Sequence, residues 1–127
     1  MAWQEEGQSK YNARSVTCFG IKFDSTKEAV RYLELREMVK KGLISDLRLQ
    51  VPFVLLPAIW EDRIERLKTK EKTVRKCIQE PVTYIADFVY VKDGQRIVED
   101  AKGFKTEVYK IKKKMMRSLL GITILET

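Results

Sequence analysis

Along the chain the spacing of apolar residues changes period several times, and each change predicts an element. Met1 to Arg14 is polar and reads as a flexible arm. Residues 16–23 alternate weakly and predict a short strand pair turning near Gly20. Ser25 then offers an N-cap with Glu28 three residues on, a capping-box spacing. Ala29, Tyr32, Leu33, Leu35 and Val39 supply a broad helical stripe, and Lys40, Lys41 and Gly42 suit the helix's C-terminal end. Leu47 to Leu56 alternates as a strand, and Pro52, which cannot donate to a ladder, places it near a sheet edge.

Residues 58–80 read as an inserted charged β-hairpin, because 63–67 and 73–78 partly alternate; a helix is the alternative. Val82 to Val91 is rich in β-branched and aromatic residues and predicts a buried strand. Asp93-Gly94 is a type I′ turn signal, with Arg96 to Lys102 as the partner strand. Thr106 caps a second helix that runs to about Leu120, with Gly121 closing it and Ile122 to Leu125 as a last strand. Val108, Ile111, Met115 and Leu119 form the apparent buried stripe of that helix. Lys110, Lys113, Lys114 and Arg117 form the exposed band, and Lys112 falls nearer the edge. The predicted fold is α/β: one domain over 15–127, ordered helix, three-stranded meander, helix, strand.

Composition narrows the chemistry. There are 25 Lys+Arg against 18 Asp+Glu, a net charge of +7, two cysteines and no histidine. Without histidine, Ser-His-Asp triads, Cys-His nucleophiles, histidine metal centres and histidine general bases are impossible. Cys18 and Cys77 cannot build a four-ligand zinc site or a disulfide framework. No apolar run reaches ~18 residues and no signal segment opens the chain, so a membrane is not an expected partner and a reducing cytoplasm is the expected compartment.

The positive charge is clustered. Lys102, Lys105, Lys110, Lys112, Lys113, Lys114 and Arg117 face only Glu107 within 102–117. Arg63, Arg66, Lys68, Lys70, Lys72, Arg75 and Lys76 face Glu65 and Glu71 within 63–76. A sequence pI near 9.4 with such clustering points to nucleic acid.

Strand register then exposes a chemical constellation. If Asp93-Gly94 fills the turn, Lys92 pairs with Gln95, Val91 with Arg96, Val89 with Val98, and Asp87 with Asp100. Two carboxylates would then stand ~4.5–5.5 Å apart at Cβ. At ~5 Å and an effective dielectric of ~20 they repel by about 3 kcal/mol, so one keeps a proton or a cation bridges them. Lys102 shares the face of Asp100, while Glu99 points the other way. Oxygen ligands beside a phosphate-binding surface suit Mg²⁺, with water as nucleophile and a lysine to stabilise charge. Glu28 is explained equally by its capping position and by a turn of its carboxylate toward the sheet.

Glu28 within Phe23-Asp24-Ser25-Thr26-Lys27-Glu28, Asp87 within Tyr84-Ile85-Ala86-Asp87-Phe88, and Asp100-Ala101-Lys102 together resemble the PD-(D/E)XK nuclease superfamily. Ala86 stands where that motif has proline, and Asp100 where glutamate is commoner. The chain resembles most closely a small bacteriophage family known as a domain of unknown function, through Gly20 to Gln50 and Tyr84 to Lys114; residues 58–80 are a longer insertion. It is more distantly similar to phage Holliday-junction resolvases and transposon endonuclease subunits.

The resemblance implies a restriction-endonuclease-like core. It implies Mg²⁺, with Mn²⁺ substituting, held by Glu28, Asp87, Asp100 and the Ala101 carbonyl, and Lys102 assisting the attacking water. Gln50 matches a polar position near such sites. The expected activity is a Mg²⁺-dependent endonuclease acting on branched or junction DNA in phage recombination or replication. The expected enzyme is a homodimer in the cytoplasm of a bacterial host, phage- or prophage-encoded. Lys105, Lys110, Lys113, Lys114 and Arg117 are the expected DNA-binding residues. The alternatives are a non-catalytic nucleic-acid-binding accessory protein on the same fold, and an RNA-binding protein, which would need exposed aromatic platforms.

Overall fold

The computed structural model describes residues 4–8 and 14–127, with side chains from Ser15 onward. It is a mixed α/β domain. Within the stretch expected as an arm, β1 (Gln4–Gln8) pairs antiparallel with β2 (Arg14–Cys18), which pairs with β3 (Ile21–Phe23). The rest of that expected arm lies outside the described residues. Phe19 and Gly20 both take positive φ in the β2–β3 turn.

Helix α1 (Thr26–Lys40) begins where Ser25 Oγ accepts the Glu28 N–H at 3.2 Å and ends before Gly42 at φ 73°. The main sheet has the order β4-β7-β8-β9, from β4 (Ser45–Leu56), β7 (Val82–Lys92), β8 (Gln95–Asp100) and β9 (Leu125–Glu126). The strand containing Pro52 lies at the sheet edge, as its missing N–H requires. Asp93 and Gly94, at φ 51° and 76°, make the two-residue turn, and the register runs from Lys92↔Gln95 to Phe88↔Glu99. Between β4 and β7, the strands β5 (Ile59–Arg66) and β6 (Glu71–Gln79) form a separate antiparallel hairpin rather than a helix. Helix α2 (Glu107–Leu120) is capped by Thr106 Oγ1, and Gly121 at φ 68° ends it in a left-handed cap, its N–H donating to the Arg117 carbonyl at 3.1 Å. No helix among the described residues is long and apolar enough to cross a membrane.

Two cores flank the sheet. One joins α1 and the β2–β3 pair through Val16, Phe23, Leu35, Phe88 and Tyr90. The other joins α2 through Tyr84, Ala86, Val98, Tyr109 and Met116. Strict alternation does not hold along β4. Leu47 and Leu49 pack on the first core, whereas Val51 and Phe53 pack on the second. The change falls at Gln50, which sits in the left-handed region at φ 51° inside the strand. β7 changes in the same way between Ala86 and Phe88, on either side of Asp87.

The buried face of α2 differs from the expected stripe. Val108, Ile111 and Leu119 are 60%, 56% and 52% exposed, and Met115 is only half-buried. Tyr109 and Met116 face the core instead. Counting aliphatic residues misses this because Tyr109 buries its ring against the sheet while its hydroxyl reaches Glu126 at 3.0 Å.

On the α1 side, Glu99 is fully buried. Arg31 holds it with two bonds, Nε at 2.7 Å and Nη2 at 2.9 Å, and the Tyr90 hydroxyl donates at 2.8 Å. Burial pushes the Tyr90 hydroxyl up to about 12, helped by that hydrogen bond to Glu99. Removing Arg31 strands a buried carboxylate. Arg31→Ala should lower the unfolding free energy by about 3 kcal/mol in urea. Arg48→Ala, which breaks only an exposed pair with Asp46, should cost no more than about 1 kcal/mol. Equal losses would show that Arg31 contributes no more than a surface charge.

Candidate metal centre

Three carboxylates from three elements converge where the strands exchange cores. Glu28 comes from the first turn of α1, Asp87 from the middle of β7, and Asp100 from the end of β8. All three are buried, Asp100 completely. Gln50 Nε2 donates to Glu28 Oε1 at 3.0 Å and lies 3.4 Å from Asp87 Oδ1. The Ala101 N–H donates to Asp87 Oδ2 at 3.0 Å. The Tyr84 hydroxyl donates to Asp100 Oδ2. Asp100 Oδ1 is buried with no hydrogen-bond partner, although Lys102 Nζ stands 3.3 Å away.

Glu28 combines both readings open to it in the sequence. Its backbone N–H takes the Ser25 cap, and its side chain turns to Gln50. The left-handed backbone at Gln50 is the feature that sequence reasoning missed. Leu47 to Leu55 reads as unbroken alternation, so nothing in it marks the position where the strand turns over.

The electrostatics follow from the crowding. Burial, then Asp24 and Asp100 nearby, raises the Glu28 carboxyl from 4.5 to about 7. Burial, then the hydrogen bond with Asp100 and the charge of Glu28, raises Asp87 from 3.8 to about 8. Burial and its bond to Asp100 push the Tyr84 hydroxyl well up. In this arrangement the Gln50 amide bridges Glu28 and Asp87, at 3.0 Å and 3.4 Å. Among the described residues no group of three or more carboxylate or thiol side chains is placed, as it stands, to hold a metal ion.

Lys102 lies between the cluster and α2, its Nζ 4.9 Å from the centre of the Tyr109 ring. Lys27 Nζ donates to the Lys102 carbonyl at 3.0 Å and ties the α1 N-terminus to this loop. Beyond Tyr109 a groove of about 390 Å³ runs along α2, lined by Lys105, Lys110, Lys113, Lys114 and Arg117. These cations are not equivalent. Lys113 and Lys105 both pair with Glu126, the latter at 3.4 Å, and Lys110 pairs with Glu107 at 3.1 Å. Lys113, then Tyr109 and Lys105, outweigh the effect of burial and bring the Glu126 carboxyl down to about 2. Lys114 and Arg117 carry no ion pair among the described residues.

The geometry so far defines a strand-rich α/β domain with a buried acidic cluster beside a basic groove. The chain belongs to the DUF1064 family, described as proteins of unknown function, whose profile matches residues 8–120. No curated protein and no solved structure matches it.

The raised carboxyls make a stability prediction with a definite sign. A carboxyl whose folded pKa exceeds its unfolded value stabilises the fold while protonated. That contribution is complete below about pH 4 and is lost as pH rises through 7 to 8. The melting temperature in chelator should therefore fall between pH 5 and 8 ~. If the cluster takes up Mg²⁺, the ion should raise it more at pH 8 than at pH 5, because at pH 5 protons compete for the same oxygens. Asp87→Asn should flatten both effects; a variant with an unchanged pH slope would remove Asp87 from the cluster's titration.

Proposed function

We propose that this protein is a divalent-metal-dependent endonuclease that hydrolyses phosphodiester bonds in DNA. One observation carries the reading: Glu28, Asp87 and Asp100 are buried together, with Lys102 at 3.3 Å from the unsatisfied oxygen of Asp100. A fold gains no stability from such a cluster, because burial and like charge both act against ionisation. The order α1, β4, β7, β8, α2, β9 is also that of a restriction-endonuclease-like core, which supports the PD-(D/E)XK reading.

The donor set fits a hard cation. It is made entirely of oxygen, and Asp100 Oδ1 is buried without a hydrogen-bond donor. Asp87 and Asp100 would hold Mg²⁺ or Mn²⁺, with Glu28 and the Ala101 carbonyl completing the set. When bound, the cation supplies Lewis-acid polarisation of the phosphoryl group and offsets its charge. The chain's own groups do the rest. Gln50 fixes the Glu28 carboxyl, and the Ala101 N–H fixes Asp87, so both acids keep one orientation. The Lys102 ammonium stands where negative charge grows on the phosphoryl oxygens as water attacks phosphorus and the ester P–O bond breaks. Tyr109 sets the position of Lys102 and walls the groove along which a strand can lie. Branched or junction DNA is the substrate class, and a homodimer in the cytoplasm of a bacterial host is the working form.

Cleavage of linear, forked and four-way-junction DNA in Mg²⁺, assayed side by side, tests the proposal. Asp87→Asn and Asp100→Asn should each lower the rate by at least ~10²-fold and leave DNA affinity unchanged or higher. Lys102→Ala should reduce the rate by roughly 10²-fold and weaken binding far less. DNA binding without any cleavage, in Mg²⁺ or Mn²⁺, would replace the proposal with a non-catalytic DNA-binding role.

A further inference from the structure

The β5–β6 hairpin has no part in the carboxylate cluster, and its construction is unusual for a surface excursion. Leu56↔Val82 is the last pair of the β4–β7 ladder. Pro57 and Pro81 then interrupt both strands, since neither can donate a ladder bond. The ladder restarts at Ile59↔Gln79, where Gln79 Nε2 donates to the Pro57 carbonyl at 3.1 Å. Every residue of β5 is exposed. An eight-residue strand at ~3.3 Å per residue reaches ~26 Å, and an isolated two-stranded ribbon is marginal in water on its own.

Its charges are sorted along its length. Toward the base, the cations are matched: Arg63 with Glu61 at 3.7 Å, Lys76 with Glu65 at 3.5 Å, and the Arg75 guanidinium over the Trp60 ring at 4.7 Å. Near the tip Arg66 pairs with Glu71 at 3.5 Å. A turn closed by Leu67 N–H to the Lys70 carbonyl, at 2.8 Å, then presents Lys68 and Lys70, with Lys72 just beyond. These three lysines are exposed and have no ion pair among the described residues. The excess positive charge of the hairpin is therefore held at its far end.

We infer that the β5–β6 hairpin is a second DNA contact, a two-stranded ribbon whose tip lysines, Lys68, Lys70 and Lys72, bind backbone phosphates of duplex DNA outside the carboxylate site. The choice of DNA rests on the nuclease reading. The choice of duplex rests on shape: the major groove of B-form DNA, about 12 Å wide, admits a two-stranded β-ribbon, and the deep, narrow major groove of A-form RNA does not.

The test uses the full chain, chelator in place of Mg²⁺, and a labelled 30-base-pair DNA duplex titrated at several salt concentrations ~. Three phosphate contacts contribute a slope of roughly −2.7 to log affinity against log salt. The triple variants Lys68→Ala/Lys70→Ala/Lys72→Ala and Lys68→Gln/Lys70→Gln/Lys72→Gln should both flatten the slope by about that amount. Between about 50 and 200 mM salt their affinity should fall roughly 40-fold less than the parent's. Thermal melts recorded alongside should show both variants folded, as expected for exposed side chains. An unchanged slope in a folded variant overturns the inference. So does a parent that does not bind duplex DNA, or an RNA duplex that binds as tightly and loses the same slope. If the slope flattens as expected but no cleavage is found in Mg²⁺, the hairpin contact stands and the nuclease reading falls.

Discussion

Burying Glu28, Asp87 and Asp100 within reach of one another imposes a cost that the surrounding residues are arranged to meet. Three ionised carboxylates cannot share such a site, because neither solvent nor an equal number of cations is there to separate them. The fold meets the constraint in three ways at once. Protons stay on Glu28 and Asp87 well above the ordinary carboxyl range. Neutral donors, the Gln50 amide, the Ala101 N–H and the Tyr84 hydroxyl, take individual oxygens. One cation, Lys102, stands beside Asp100. Even so, Asp100 Oδ1 remains without a hydrogen bond. The left-handed backbone at Gln50 belongs to the same solution: it occurs where β4 passes Asp87, and strained backbone of this kind persists only where its surroundings over-determine it.

The other side of the sheet shows what a purely structural carboxylate looks like in the same molecule. Glu99 is one residue from Asp100 and just as buried. Yet Arg31 meets both of its oxygens, and Tyr90 and Thr127 add further donors. That acid is matched by a bidentate cation; its neighbour is not. The contrast separates a carboxylate matched on both oxygens from one whose Oδ1 meets only an ammonium at 3.3 Å and no hydrogen bond, and it is what the proposed metal role of Asp100 rests on.

Much of this was legible in the sequence because turn and cap chemistry is local. Asp93-Gly94 sets the β7–β8 register, which runs as far as Phe88↔Glu99 and leaves Asp87 and Asp100 as the next residues along the two strands. Ser25, Gly42, Thr106 and Gly121 mark the helix ends for the same reason. What could not be read depends on long-range packing. The exchange of cores at Gln50 leaves the alternation of Leu47 to Leu55 intact, so no period changes. The face of α2 was misassigned because Tyr109 packs as a hydrophobe while bonding as a polar group, and aliphatic counting gives weight to Val108 and Ile111 instead. Glu126 gave no signal at all. Only the parallel placement of β9 beside β8 brings it to Lys105 and Lys113.

That last placement changes how the net charge of +7 is to be understood. Cations close to the sheet are held by acids: Arg31 by Glu99, Lys102 by Asp100, Lys105 and Lys113 by Glu126. Cations with no acid partner among the described residues include Lys114 and Arg117 on α2 and the three lysines at the hairpin tip. A polyanion therefore meets favourable charge on the projecting surfaces and acidic side chains at the cluster. A phosphate cannot approach three ionised carboxylates; it can approach them once protons or a divalent cation have neutralised them. If the cluster binds a cation as proposed, cation and DNA must each favour the binding of the other, because binding free energies are coupled reciprocally.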